Sequence, residues 1–292
     1  MNQINIYNNE SSFVFQINKV KYMLGFNYLL KYQFLQIIRQ FYSRMNSEKR
    51  EEYGIVNHVL IDNEEVNPRS SMLWEIKDTY SLTEDLKLGT KSLVTMYLET
   101  KMQNTLYFDS MNTIEILFNS LEEEINDNDE INVLFNSVNA KTLLKFMKAI
   151  IREEDLQLDE YDLSCEQIIM LQIKMITYIM QHKVFNSKPI VIVHISELTQ
   201  EINEAIWNIP NVCVFIFMDE YNPIINTKYI TLFESSFVDC DDLESIYQIV
   251  DQRYCKLVLL NDLEEHMKTY LMKYYSKVHT NILEYIANSC TQ

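Results

Sequence analysis

The sequence predicts an α/β fold, and three observations carry the prediction. Residues 13–45 read as strand, turn and helix, with Gly25 and Lys31 at the spacing of the first Gly and the Lys in the phosphate loop G-x-x-x-x-G-K-[ST]. Two short apolar runs, Pro189 to Ile195 and Val212 to Met218, flank a helical segment from Leu198 to Asn208. That is the pattern of parallel strands covered on both faces. Between these outer pieces, Leu86 to Lys183 is patterned almost wholly as helix. The expected architecture is a parallel-sheet head like that of P-loop ATPases, with a degenerate loop, built from residues 1–76 and 186–240. Residues 77–185 form a large helical insertion, and 241–292 a C-terminal extension.

Each element has its own signal. Phe13 to Leu24 alternates in part and reads as one or two strands. Leu29 to Met45 carries Leu30, Phe34, Ile37, Ile38 and Phe41 as a helical stripe. Val56 to Ile61 and Met72 to Ile76 read as short strands. Helices are expected over Lys91 to Tyr107, Met111 to Ile125, Asn139 to Arg152 and Leu163 to His182, with short connections between them. Lys188-Pro189 ends the helical zone. A further strand is expected near Tyr229 to Phe233 and another over Cys255 to Leu260. A long helix follows from Asp262 to Ile286, with Leu263, Met267, Tyr270, Leu271, Tyr274, Val278 and Ile282 on one side. Such a stripe must be covered by its own chain or by a neighbour, and the expectation is a homo-oligomer.

Composition excludes several classes. With 292 residues and 47% hydrophobic content, the chain can bury a large core. Its three glycines, Gly25, Gly54 and Gly89, rule out an intact Gly-rich nucleotide loop. A net charge of −17 argues against nucleic-acid binding by bulk charge, though not against a local basic patch. Five scattered cysteines with no C-x-x-C suggest neither a zinc ribbon nor a disulfide framework, and a reducing cytoplasm fits best. The polar start, Met1 to Ser12, lacks a signal region, and no apolar run approaches the roughly 18 residues of a membrane span.

The phosphate loop keeps its frame while its chemistry is altered. Leu30 stands where the second Gly belongs, and Tyr32 where the Mg²⁺-holding Ser or Thr belongs. Asp219-Glu220 at the end of the second apolar run could supply a Walker-type acid, whereas the first run ends in His194-Ile195-Ser196-Glu197. Read as a helix, Asn139 to Arg152 would align Lys141, Lys145, Lys148 and Arg152 on one face. The plain reading is a solvated face, and the functional one a contact with phosphate backbone. Glu153, Glu154, Asp155, Asp159, Glu160 and Asp162 follow at once. They make either a solvated acidic loop or oxygen ligands for Ca²⁺, without the spacing of an EF-hand. The five histidines show no metal spacing, and no nucleophile elbow is present.

The order of these parts resembles the type II-A CRISPR spacer-acquisition accessory proteins (the Csn-two family). Val20 to Asn27 matches the family's strand running into a degenerate nucleotide loop. Lys188 to Thr199 matches its buried strand and helix start, and Val212 to Glu220 its strand ending in acids. The resemblance spans about residues 13–240, and the segment beyond is similar to the extension of the longer subfamily. It implies a non-enzymatic protein that encircles double-stranded DNA ends as a homotetrameric ring stabilised by Ca²⁺. It also implies partnership with the spacer integrase and the effector nuclease in CRISPR adaptation. The expected DNA contacts are Lys141, Lys145, Lys148 and Arg152, then Lys19, Lys21 and Lys31; the expected Ca²⁺ region is Glu153, Glu154, Asp155 and Asp159. Two other readings stand beside this one. One is an ATPase using Lys31 and Asp219, and the other a scaffold that binds proteins through its helices.

Overall fold

The structure, a computed structural model, describes residues 2–43, 56–88, 92–126, 132–135, 139–235, 237–273 and 281–289. Its described residues divide into two units. The first comprises Met1–Lys77, Phe185–Trp207 and Asn211–Gln292. The second comprises Asp78–Val184 and Asn208–Pro210. The chain passes between the units after Lys77 and after Val184, and the residues beyond 240 belong to the first unit.

Two sheets build the first unit. The chain opens with a hairpin of β1 (Asn2–Tyr7) and β2 (Ser12–Ile17), whose turn is held by Asn8. Ile4 and Ile6 point inward from β1 between polar neighbours, as a strand's period of two requires. Two apolar residues are too few to mark a strand in the sequence, and β1 lies in a segment read only as a polar start. β4 (His58–Ile61) and β5 (Glu64–Glu65) extend this antiparallel sheet in the order β2-β1-β4-β5.

At residues 18–19 the chain leaves that sheet and enters the other. β3 (Val20–Leu24), β6 (Leu73–Lys77), β9 (Ile190–His194), β10 (Cys213–Phe217), β11 (Ile230–Phe233) and β12 (Phe237–Asp239) form a six-stranded sheet. Its order is β12-β11-β3-β10-β9-β6, and only the β11–β12 pairing is antiparallel. The two halves of the sequence thus share one sheet, as expected for an α/β head. β10 is buried at every position and β9 at all but its last, which explains their unbroken apolar runs.

The helix Tyr28–Tyr42 follows β3 and supplies the ring at the centre of the core. Phe34 lies edge-on to Phe13 of the antiparallel sheet at 5.4 Å, and to Phe215 and Phe233 of the parallel sheet at 5.3 and 6.0 Å. Its side chain is fully buried.

Three sequence expectations change in the structure. The helix expected over Asn139 to Arg152 is a single helical stretch, Ala140–Leu144. The chain then turns and forms a hairpin of β7 (Ile151–Glu153) and β8 (Leu156–Leu158). The turn is made by Glu154, at a φ of 51°, and Asp155. Strand pairing of the β-branched Ile151 with Leu158 prevails here over the helical period. Cys255 to Leu260 is not a strand: Cys255 adopts φ 53° and ends the helix Leu243–Tyr254, and Leu257 and Leu259 are exposed. The expected C-terminal helix is observed as Leu260–Lys273 and Ile282–Ser289; Tyr274 and Val278 lie outside the described residues.

The second unit is mainly helical, with Leu93–Met102, Phe108–Ile125 and Cys165–His182 as its longer elements. Ser164 starts the last of these with a reciprocal capping box to Gln167. No described residue of Phe108–Ile125 is buried.

Truncation at the ring junction tests the fold. Phe34→Ala is expected to lower the unfolding free energy by about 3–5 kcal/mol in urea denaturation, the usual cost of emptying a closed aromatic site. A loss below about 1 kcal/mol would show that the two sheets do not meet around this ring.

Candidate nucleotide loop and basic residues

The loop from Gly25 to Lys31 sits where an open α/β sheet binds ligands, at the carboxyl ends of its parallel strands. Gly25 adopts φ +126°, and a Cβ there would lie 2.0 Å from the carbonyl oxygen of Phe233. The frame therefore demands a glycine for a steric reason inside the chain.

The backbone N–H groups of Asn27, Tyr28, Leu30 and Lys31, which would help cradle a phosphate, are already used. Asn27 caps the helix: its Oδ1 accepts from the Leu30 N–H at 3.1 Å, and its Nδ2 donates to the Glu234 carbonyl at 2.7 Å. The Asn27 N–H donates to the Phe233 carbonyl, the Tyr28 N–H to Phe26, and the Lys31 N–H to Asn27. Lys31 is itself buried, and its Nζ donates to the Met218 carbonyl at 2.9 Å, with Asp219 Oδ1 at 3.5 Å. Burial pushes the Lys31 ammonium below its ordinary pKa, and Asp219 pulls the other way. Phe26, Tyr28, Leu29 and Tyr32 are exposed around this loop, an apolar patch that the sequence reading did not single out. The signal was there, in four large side chains within seven residues.

A charged cluster lies farther along the same sheet edge. Arg39 grips Glu75 with two hydrogen bonds, Nε to Oε1 at 2.7 Å and Nη2 to Oε2 at 2.9 Å, and Lys77 Nζ lies 2.6 Å from Oε2. Burial alone would raise the Glu75 pKa, but the bonds from Arg39 and Lys77 hold it at about 2. His194, at the end of β9, stacks on Phe217 with ring centres 5.0 Å apart. Burial lowers its pKa to about 4, so it is neutral at pH 7.

The seven expected DNA contacts separate into accessible and enclosed residues. Lys141, Lys145, Lys148 and Arg152 are exposed, but they share no helix face, because the helix ends at Leu144. Lys19 is half-buried and donates to the Trp207 carbonyl. Lys21 is enclosed: it is 1% exposed, pairs with Asp239, and donates to the Gln16 carbonyl at 2.9 Å. Lys21 and Lys31 face inward and cannot meet a DNA backbone in this conformation. Both lie next to the loop in sequence, and sequence alone does not say which way a strand residue points.

The acidic run does not assemble a cation cage. Among the described residues, no three His, Cys, Asp or Glu side chains come together as metal ligands. Glu153, Glu154 and Asp155 are spread around an exposed hairpin turn. Asp159 spends its carboxylate capping the short helix Glu160–Asp162, and Glu160 accepts from the Thr83 N–H at 2.7 Å. These residues therefore do not fit a calcium site within one chain. Among the described residues, no helix is long and apolar enough to cross a membrane.

The buried pair invites a test. Lys21→Met is expected to lower stability by about 3–5 kcal/mol, because it strands the Asp239 carboxylate; adding Asp239→Leu should restore part of that. Urea denaturation reads both. A Lys21→Met protein as stable as the parent would refute a structural role for the pair. Glu75 sets a pH dependence. Its folded pKa lies below the unfolded value of about 4.3, so its contribution is present above that value. It is lost as pH falls toward about 2. Glu75→Gln is expected to flatten the decline in stability between about pH 4.5 and 2; an unchanged profile would contradict the Arg39 clamp.

No family model matches the chain, and no curated relative matches it. Among solved structures, it is similar to the crystal structure of Stu0660 of Streptococcus thermophilus, at 15% identity and a TM-score of 0.68. The match covers 99% of this chain and 94% of that one. At this identity the likeness shows a shared α/β fold along the whole chain.

Proposed function

We propose that this chain is a non-enzymatic protein that binds double-stranded DNA ends as a ring of identical copies, in the manner of the Csn-two family it resembles. The observation that carries the reading is a P-loop frame filled by its own chain. Asn27 takes the helix N-terminus, Lys31 is committed to Met218 and Asp219, and Gly25 is required by Phe233. A fold that keeps this frame while closing its phosphate site is suited to another task. The likeness to Stu0660 supports the fold on which the reading rests. The partnership with the spacer integrase and effector nuclease belongs to the same proposal.

Assembly draws support from a different helix than the sequence suggested. Leu263, Met267, Tyr270 and Leu271 of the C-terminal region are buried within the chain and need no neighbour. Phe108, Ile116, Leu117, Leu121 and Ile125 of the helix Phe108–Ile125 are exposed, a surface that a second copy could cover. In a ring, each basic residue recurs in every copy. The exposed Lys141 and Lys145 can then act together on phosphates despite the net charge of −17.

Two measurements test the reading together. Mg-ATP is expected to leave the thermal unfolding midpoint unchanged, since a ligand that binds only the folded state must raise it. A linear duplex should shift in a native gel more strongly than a closed circle, with Ca²⁺ present and absent as separate arms. Lys141→Glu with Lys145→Glu should weaken that shift severalfold. A rise of several degrees with Mg-ATP, or equal binding of circles and linear DNA, would overturn the proposal.

A further inference from the structure

The second unit carries a half-open hollow of about 930 Å³, the size range of small-molecule sites. Its wall is apolar, with Val94, Leu98, Met111, Ile114, Leu171 and Met175 contributed by three helices. Met147 and Ile150, from the stretch between the short helix and β7, also line it and remain more than 40% exposed. Apolar surface left open on a lined cavity favours an apolar occupant.

The charged residues on this wall are all of one sign. Lys148, Arg152 and Lys174 line the cavity, and among the described residues no Asp or Glu does. In a chain with 42 acidic residues against 25 basic ones, this selection gives the site a preference. Lys148 also borders an adjoining hollow lined by Asp159, Glu160 and Asp162, which leaves Arg152 and Lys174 as the cations of the larger hollow alone. Lys148 and Lys174 are exposed, so their stems can lie on the wall while the ammonium groups stay at the solvent side. Tyr97, Tyr107 and Tyr178 add hydroxyls and ring edges to the same lining. An apolar interior with cations at its border matches one ligand chemistry, a hydrocarbon chain that ends in an anion.

We infer that the helical unit binds a single-chain amphiphile with an anionic head, its tail against Leu98, Leu171 and Met175 and its head among Lys148, Arg152 and Lys174. Lys148 and Arg152 are also expected DNA contacts, but the two readings are tested apart, since Lys141 and Lys145 do not line the cavity. It also gives Lys148 and Arg152 a setting that their sequence spacing does not reveal. Both flank an apolar hollow, and they do not extend a basic helix face.

Calorimetric titration of the full chain tests it, with each probe below its micelle concentration. Sodium laurate and dodecyl phosphate carry the two anionic heads, and dodecyltrimethylammonium carries the opposite charge on the same tail. The expected result is saturable binding of one anion or both at one per chain, with a negative heat-capacity change from apolar burial. Laurate alone would identify a carboxylate head, and dodecyl phosphate alone a phosphate. Lys148→Glu with Lys174→Glu, both at exposed positions, should keep the thermal midpoint and weaken anion binding about tenfold. The inference fails if neither anion binds, if the cationic probe binds as well as laurate, or if the double variant binds laurate like the parent.

Discussion

A buried lysine joins the two sheets of the head. β2 and β3 are consecutive in sequence, yet they belong to different sheets, because the chain crosses between them at residues 18–19. That crossing leaves Gln16 with backbone groups on the free edge of β2, where an unpaired N–H or C=O is costly once buried. The Lys21 ammonium satisfies the carbonyl, and Asp239 of the edge strand β12 accepts from the Gln16 N–H at 3.1 Å. The two charges then neutralise each other. One ion pair thus closes the edge of one sheet against the edge of the other. The aromatic contacts around Phe34 depend on that closure, since they need both sheets on the same helix.

A second carboxylate does comparable work for the C-terminal extension. Glu234, just past β11, accepts from the Tyr270 hydroxyl at 2.7 Å and from the Ile282 N–H at 2.9 Å. Its backbone carbonyl accepts from Asn27 of the nucleotide loop. The end of β11 therefore ties together the loop and both described pieces of the last helical region. This explains why residues beyond 240 belong to the first unit: their buried stripe and their hydrogen bonds both lead back to the parallel sheet.

What the sequence revealed depended on the range of the interaction involved. Fully buried strands such as β9 and β10 announce themselves as unbroken apolar runs, and Tyr28–Tyr42 as a stripe, because burial on a regular element leaves a period. β1 stayed hidden because Ile4 and Ile6 alone carry its signal. The segment 139–152 misled because its residues fit a helical period, while the hairpin that captures Ile151 to Leu158 is decided by pairing and by a turn at Glu154. The direction of Lys21 and Lys31 was illegible for a related reason. A lysine's partner is a tertiary fact, and here the partners lie 218 and 188 residues away. The nucleotide-loop frame was legible, whereas its occupation by Asn27 was not, since an asparagine cap looks like any other polar residue until the helix start is fixed.

Gly25 shows how the fold itself can require a residue that a sequence signature also prescribes. Glycine in a phosphate loop is usually explained by the ligand, which needs close approach to a bare backbone. Here the close approach comes from Phe233 of the protein's own β11, and φ +126° adds a second, independent demand. A glycine is required at this position whether or not a nucleotide binds, six residues before a lysine whose ammonium meets the Met218 carbonyl and Asp219. A pattern search would read the pair as a nucleotide-loop signature, whereas the glycine half of it is demanded by the fold itself.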